Sequence, residues 1–596
     1  MVLRSARALL RRRLRRRRRT GRERKHLHRK RVVNAPGLEV VARSGLGTLA
    51  KAGRLHVLTL EGEPYDLGFQ HGELLKRQIA EGCAPVFGAK DGFDGLFAHL
   101  TLDEAKAARG LVDGLYVSLV DGLDEALKAE LSGLADGAEI PFAVLSRATF
   151  RSEILQILAA FEAVAGAPGE CTALVALAGR TQAGRLLHAK NQDYDGAGLW
   201  DAAPTVTLVR TPGALPHVRV GAAGLLKASF GMNAAGLSVG GHLLFSRHAH
   251  PVGAGFTALE HRLLRGGQDI EAARRMLESG ERWGAFAFVL GDGDRDQALV
   301  LECDSQGVFA RAPIEGMAAC ANHFSGAAEG RDLLLAGGQA RGSLARLQRA
   351  LRAGEEPELT PDAMARMLAD RFDPCCGVVR SLGQTIAGPL TVMSAVAEPA
   401  SRRLWVSQAE APTCDGPYVG FDFTAAFDGG DIRLVDSLEA GVFSLGAQRA
   451  ALRVSLSARR TLEAEGVASA LPELEKAVAH DPADAAHRRI LGRALLKLER
   501  FADALAVLEL ASAVPQSANE RAETAYLAAI ALDGLGRRSE AAAKLEGVLA
   551  AGSDVDPLTA LNPRLAVLAR RHLEIPFDQE HARRLPMGFT LHSGVE

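Results

Sequence analysis

The chain has 596 residues, of which 47% are hydrophobic and 5% aromatic, so two or three domains with cores of leucine, alanine and valine are expected. Its formal net charge is zero, but residues 1–31 hold 16 of the 71 basic and one of the 71 acidic residues, which leaves 55 basic and 70 acidic residues elsewhere. The chain after residue 31 is therefore acidic, which excludes a general nucleic-acid binder, because such a protein needs a basic face on its folded domain.

Seven cysteines are present, without a CxxC pair or a Cys/His cluster spaced as zinc ligands are. This usage favours free thiols in a reducing compartment. The composition, rich in alanine, arginine, glycine and leucine, is typical of a GC-rich bacterial source, and we therefore expect a cytoplasmic protein. No uninterrupted apolar run is long enough to span a membrane.

Residues 1–33 are predicted to form a basic, disordered head. The arginine-rich stretch lacks the apolar segment of a secretory signal. Two interpretations stay open: the head contacts an anionic surface, such as a membrane or RNA, or it is a tail without a partner. No specific nucleic-acid partner is expected.

Residues 34–170 are predicted to be mostly helical. A strand at 56–60 precedes a helix that ends near Ile79, and residues 100–165 carry leucine at helical spacing. After them, Cys171 opens an apolar strand and Asp193 closes the next one, with a glycine-containing turn between them. These two strands are predicted to form a β-hairpin with a thiol on one strand and a carboxylate on the other.

Residues 171–425 alternate between strands and helices, which predicts sheets covered by helices. Residues 426–455 are predicted to be a linker, followed by a helical domain at 456–575 and a tail at 576–596. Within the helical domain, similar apolar frames recur at offsets of 34 and 37 residues around Leu474, Leu508 and Leu545. This recurrence resembles tetratricopeptide repeats, which can bind a protein partner in their groove.

Several motifs share their order and spacing with one known family. The motifs are Gly62–Gly72, Cys171-Thr172, Asn191-Gln192-Asp193, Gly231–Leu237, Ala321-Asn322-His323 and Arg380. Residues 56–425 thereby resemble acyl-coenzyme A:6-aminopenicillanate acyltransferase and its bacterial relatives, which are N-terminal-nucleophile hydrolases of the C45 peptidase type. The resemblance implies an α+β fold, a four-layer αββα sandwich, made as a precursor that cleaves itself between Glu170 and Cys171. The all-α repeat-like domain would follow this sandwich.

The resemblance also implies a role for each site residue. The thiol of Cys171 would be the nucleophile, and its freed α-amine would be the base. Asp193 would orient the α-ammonium group, Asn322 would donate its amide to the oxyanion, and Arg380 would steady the negative charge near the thiolate. The family commonly has glycine before the nucleophile, whereas this chain has Glu170.

The leading hypothesis is an autoproteolytically activated cysteine amidohydrolase or acyltransferase, acting on a small N-acyl amide or acyl thioester. This chemistry requires no metal or organic cofactor. The alternative is an inactive hydrolase-like scaffold that binds a protein partner through its helical repeats.

Overall fold

The computed structural model describes residues 38–87, 101–160, 170–194, 200, 202–228, 230–333, 337–353, 358–439, 446–551, 561–585 and 587. The predicted basic head, residues 161–169 and ten of the 21 residues of the predicted tail lie outside the described residues.

Within these residues, two large sheets form the centre of the part that precedes the C-terminal helices. The first has ten strands, in the spatial order β1 (Glu39–Ser44), β2 (Gly47–Ala52), β3 (Leu55–Glu61), β6 (Pro204–Arg210), β7 (His217–Ala222), β8 (Phe230–Asn233), β9 (Leu237–Leu243), β10 (Phe286–Asp292), β11 (Gln297–Asp304) and β12 (Gly307–Arg311). The second has seven, in the order β13 (Met317–Cys320), β4 (Glu170–Ala176), β5 (Leu187–Asp193), β16 (Thr391–Glu398), β17 (Arg403–Ser407), β18 (Tyr418–Asp422) and β19 (Arg433–Leu438). Neighbouring strands are antiparallel except β3 and β6, and β14 (Phe372–Asp373) pairs with β15 (Val378–Val379) apart from both sheets.

Helices connect these strands. They are α1 (Pro64–Leu74), α2 (Lys76–Phe87), α3 (Leu102–Asp121), α4 (Glu125–Ala138), α5 (Phe142–Ala160), α6 (Phe256–Gly266), α7 (Ile270–Glu278), α8 (Gly337–Ala353), α9 (Pro361–Leu368) and the short α10 (Thr424–Phe427). None of the helices in the described ranges is long and apolar enough to cross a membrane.

Alternation along β10 shows how the layers stack. Phe286 and Phe288 point outward and pack with Phe256 of α6, whose ring lies 5.3 Å from that of Phe288. The residues between and after them, Ala287 and Val289, point the other way and pack against the second sheet. Successive side chains of a strand face opposite sides, so this sheet has helices on one face and the second sheet on the other.

The second sheet is built in the same way. Ala173 and Val175 of β4 pack between the sheets, whereas Leu174 packs outward in one cluster with Met364 and Leu368 of α9. The architecture is therefore four layers, αββα, and the expectation drawn from the sequence is confirmed.

The C-terminal region is all helical, as expected. Its helices are α11 (Gly446–Glu465), α12 (Val467–His480), α13 (Ala485–Lys497), α14 (Phe501–Ser512), α15 (Ala518–Gly534), α16 (Arg538–Ala550), α17 (Pro563–Glu574) and α18 (Gln579–Arg584). Leu474, Leu508 and Leu545 lie on α12, α14 and α16 and are buried in one shared core. The segment predicted as a linker, 426–455, instead contains β19 and the start of α11, because the second sheet continues to Leu438.

Candidate active site

Cys171 lies at the beginning of β4, beside β5. The register pairs Cys171 with Gln192 and Glu170 with Asp193. Cys171 has the same strand parity as Ala173 and is 6% exposed, so its side chain faces the space between the two sheets. The predicted hairpin thus places Asp193 opposite Glu170, the residue that precedes the expected cleavage site.

Asn322 follows β13, the strand that pairs with β4 on its other edge. Its side-chain Oδ1 accepts a hydrogen bond of 2.6 Å from the backbone N–H of Cys171, and its Nδ2 donates to the Leu243 carbonyl at 2.8 Å. The backbone N–H of Asn322 donates to Ser343 Oγ at 2.7 Å. Asn322 is therefore held firmly against Cys171, and its side-chain amide keeps a second hydrogen for another acceptor.

Asp193 is buried at the end of β5. The Thr391 hydroxyl donates a hydrogen bond to Asp193 Oδ1. A side chain at Gly388 would meet the Asp193 carboxylate at 3.3 Å, so the backbone of the loop before β16 closely approaches this carboxylate. The Asp193 side chain is thus held in place by Gly388 and Thr391, which are distant in sequence.

Arg346 of α8 is a site residue that the sequence reasoning missed. Its side chain is 1% exposed and donates to the Cys171 carbonyl, to Thr172 Oγ1 at 3.1 Å and to Asn322 Oδ1 at 3.1 Å. The sequence does contain a feature that could have revealed this residue. Arg346 lies four residues before Ala350, on the buried face of an amphipathic helix, where arginine is rare unless it is paired.

Arg380 does not occupy the position predicted for it. Its guanidinium donates to Asp373 at 3.3 Å, to Glu520 at 3.0 Å and to Asp484 at 2.8 Å. Two of these carboxylates belong to the C-terminal helical region, and the thiol that Arg380 contacts is that of Cys376, at 3.5 Å, whereas the Cys171 thiol is not among its described partners. The prediction that Arg380 supports the thiolate is corrected: Arg380 joins the catalytic part to the helices, and Arg346 is the arginine at Cys171.

The residues after Arg380 share this docking. Ser381 Oγ lies within 2.8 Å of Asp481 Oδ2 and of His487 Nε2, and Leu382 is buried in the core of the helical region. In the described part of the chain, Asp481, Asp484 and His487 form the group with metal-ligand spacing. Ser381, Arg380 and backbone amides already bond these ligand atoms, so the group is a docking site for this loop.

Lys190 is a second residue that the sequence reasoning missed. It lies two positions before Gln192 on β5 and is fully buried between the sheets. Its Nζ has no hydrogen-bond partner among the described residues. Burial lowers the pKa of Lys190 from its ordinary value, against the opposing influence of Cys171 nearby.

The family model for acyl-coenzyme A:6-aminopenicillanic acid acyltransferase matches residues 180–411. The match contains Asp193, Asn322 and Arg346 and begins after Cys171. It confirms the resemblance drawn from the motifs and supports an acyltransferase or amidase function.

Two solved structures are similar to part of the chain. An N-acylethanolamine-hydrolyzing acid amidase ortholog from Caenorhabditis elegans is 15% identical, with a TM-score of 0.29, over 39% of this chain and 93% of its own. A mutant of conjugated bile acid hydrolase from Clostridium perfringens is 12% identical, with a TM-score of 0.31, over 45% of this chain and 96% of its own. No curated protein matches the chain significantly.

Proposed function

We propose that this chain is a cysteine N-terminal-nucleophile amidohydrolase or acyltransferase, activated by cleavage between Glu170 and Cys171. Its substrate would be a small N-acyl amide or an acyl thioester. The observation that carries the proposal is the convergence of Asn322 and Arg346 on the backbone of Cys171, at the edge where Asp193 closes the neighbouring strand.

After cleavage, the nitrogen of Cys171 is an α-amine with a pKa of about 8, low enough for a fraction of it to be free to accept the thiol proton at neutral pH. The sulfur then attacks the acyl carbon of the substrate. The ammonium group returns the proton to the leaving amine or thiol, which leaves an acyl-enzyme. Water as the second substrate gives hydrolysis, and an amine gives acyl transfer.

Asn322 is suited to stabilise the oxyanion of this reaction. Its Oδ1 accepts hydrogen bonds from Cys171 N and Arg346 Nη2, so the orientation of the amide is fixed and both amide hydrogens are on Nδ2. One hydrogen of Nδ2 goes to the Leu243 carbonyl and the other is available to a substrate oxygen. A fixed, neutral donor of this kind costs no reorganisation when negative charge develops.

Arg346 and Asp193 have separate tasks in this scheme. Arg346 orients Asn322 and the Cys171 carbonyl, and its positive charge is buried beside the developing anion. Asp193 supplies the negative charge that stabilises the α-ammonium group at the new N-terminus. Its carboxylate is held in place by Thr391.

Trapping the acyl-enzyme tests the proposal. The purified protein is incubated with acyl thioesters and N-acyl p-nitroanilides of several chain lengths, quenched in acid and digested for mass spectrometry. We expect one acyl group on the peptide that begins at Cys171, and none in Cys171→Ala. Cys303→Ala is the matched control, because Cys303 is a buried thiol on β11, outside this site.

Turnover that persists in Cys171→Ala would contradict a thiol nucleophile. A folded protein that never acquires an acyl group would instead favour the alternative of a hydrolase-like scaffold that binds a protein partner.

A further inference from the structure

Cys171 has a buried amine as a neighbour. Lys190 is paired with Ala173, and Gln192 is paired with Cys171, so Lys190 and Cys171 are diagonal neighbours on the same face of the sheet. The Cβ atoms of such neighbours lie about 7 Å apart, a distance that a lysine side chain can span. Lys190 is thus in reach of the thiol within the space between the two sheets.

The hydrogen bonds of His188 define what lies on the other side of Lys190. Ser238 Oγ donates its single hydrogen to the Gly291 carbonyl at 3.0 Å, so it can only accept from His188 Nδ1 at 2.9 Å. His188 is therefore protonated at Nδ1 and has a lone pair at Nε2. Burial lowers the pKa of His188 to about 3, which keeps the ring neutral.

Gly240 brings the His188 lone pair and Lys190 together. A Cβ at Gly240 would lie 2.9 Å from His188 Nε2 and 3.3 Å from Lys190 Cδ, so both side chains pack on the same spot of β9. Neither His188 Nε2 nor Lys190 Nζ has a hydrogen-bond partner among the described residues, so Nε2 is an open acceptor to which the Lys190 amine can donate one hydrogen. Accepting that hydrogen orients the amine and leaves its lone pair for the thiol.

Burial favours the neutral, basic form of Lys190. The charged groups around it are on different elements: Cys171, Glu260 and Asp193 favour its ammonium form, whereas burial and Lys227 favour the free amine, and burial is the largest influence. His242 on β9 is also near, and burial keeps its pKa well below the ordinary value, so it is neutral.

The uncleaved chain needs a base other than the α-amine. Before cleavage the nitrogen of Cys171 is a peptide nitrogen that donates its hydrogen to Asn322 and has no basic lone pair. We propose that Lys190 is the base for the self-cleavage step, oriented by His188, and that the α-amine replaces it once cleavage has occurred. This inference rests on the proposed function.

Lys190 Nζ takes the proton of the Cys171 thiol, and the sulfur bonds to the carbonyl carbon of Glu170 while an electron pair moves to the oxygen. As the oxyanion collapses, the bond to the Cys171 nitrogen breaks, and this nitrogen takes the proton from the Lys190 ammonium group. Water then hydrolyses the thioester, releasing the carboxylate of residue 170 and the thiol.

A cleavage time course tests the assignment. The full chain is made by a short pulse of cell-free translation, and the precursor and its fragments are followed by denaturing electrophoresis. We expect Lys190→Met and Lys190→Arg to slow cleavage by about 100-fold or more, the scale of general base catalysis. His188→Phe should slow it less, because it removes only the orienting acceptor.

Lys227→Met is the matched control, since Lys227 is also a buried lysine but its Nζ already donates to Ser152 Oγ at 2.6 Å. It should be cleaved only slightly more slowly than the wild type, because burial outweighs the influence of Lys227 on the Lys190 amine. In Lys190→Ala, added propylamine should restore part of the cleavage by supplying an amine. A residue needed only for packing would not be rescued in this way.

Each outcome decides a separate point. A wild-type chain that is never cleaved overturns both the activation step and the role of Lys190. A wild-type chain that is cleaved, with a folded Lys190→Met variant that is cleaved equally fast, overturns only the role of Lys190. Equal slowing of Lys190→Met and Lys227→Met, without rescue by propylamine, also overturns it.

Discussion

Replacing Arg380 with alanine is expected to destabilise the protein without disabling its chemistry. The side chain is 3% exposed and is the shared partner of Asp373, Asp484 and Glu520. Removing one partner of a buried ion pair costs about 3–5 kcal/mol, because the remaining charges stay buried without compensation. For a helical region of this size, that cost corresponds to a melting temperature lowered by about 10–15 °C.

Thermal unfolding followed by circular dichroism measures this effect, with limited proteolysis to show that the helical region opens first. Arg537→Ala is the matched control, since Arg537 and Glu540 form an exposed ion pair on the same region, and such a pair contributes little to stability. Arg380→Lys should also be destabilised, because one ammonium group cannot replace a guanidinium that bonds three carboxylates.

Activity distinguishes this structural role from the catalytic role first predicted for Arg380. Well below its melting temperature, Arg380→Ala should acylate Cys171 within a few-fold of the wild-type rate. A variant that keeps its full stability but loses acylation would refute this structural role and support the catalytic role first predicted for Arg380.

Three further predictions concern the site and the docking of the helices. Asn322→Ala should lower kcat by about 100-fold or more in steady-state assays, since it removes an oxyanion donor. Arg346→Met should lower kcat more than it raises KM, because it leaves Asn322 unoriented. Burial opposes the ionisation of Asp484 and Glu520, but the arginines around them prevail and lower both pKa values. Their stabilisation is therefore complete above the unfolded carboxyl pKa of about 4 and is lost progressively as the pH falls from there through the lowered folded pKa values, so acid titration should release the helical region.

The strand pattern was sufficient to predict the hairpin that carries Cys171 and Asp193. An apolar run after Cys171, a glycine-containing turn and a second run that ends at Asp193 define two paired strands, and the observed register brings Asp193 opposite Glu170. The pattern of strands and helices predicted only sheets covered by helices, and the four layers were implied by the family resemblance. In the structure, one face of each strand meets helices and the other meets the second sheet.

The arginines could not be assigned from local sequence. Arg380 is paired with carboxylates that lie 104 and 140 residues further along the chain, so its partners exist only in the folded molecule. Arg346 belongs to no motif and reaches Cys171 because α8 packs across the strand pair. Lys190 shows the same limit: its position in the strand was clear, but its lack of a partner depends on what the other sheet presents to it.

The most direct test of the account is the N-terminus of the mature protein. The account predicts that purified protein separates under denaturing conditions into two fragments, 1–170 and 171–596, and that Edman degradation of the larger one begins with Cys171. Cys171→Ala should remain a single chain of 63.0 kDa. A wild-type protein that also remains a single chain, with full acylation activity, would contradict the claim that Cys171 acts as an N-terminal nucleophile.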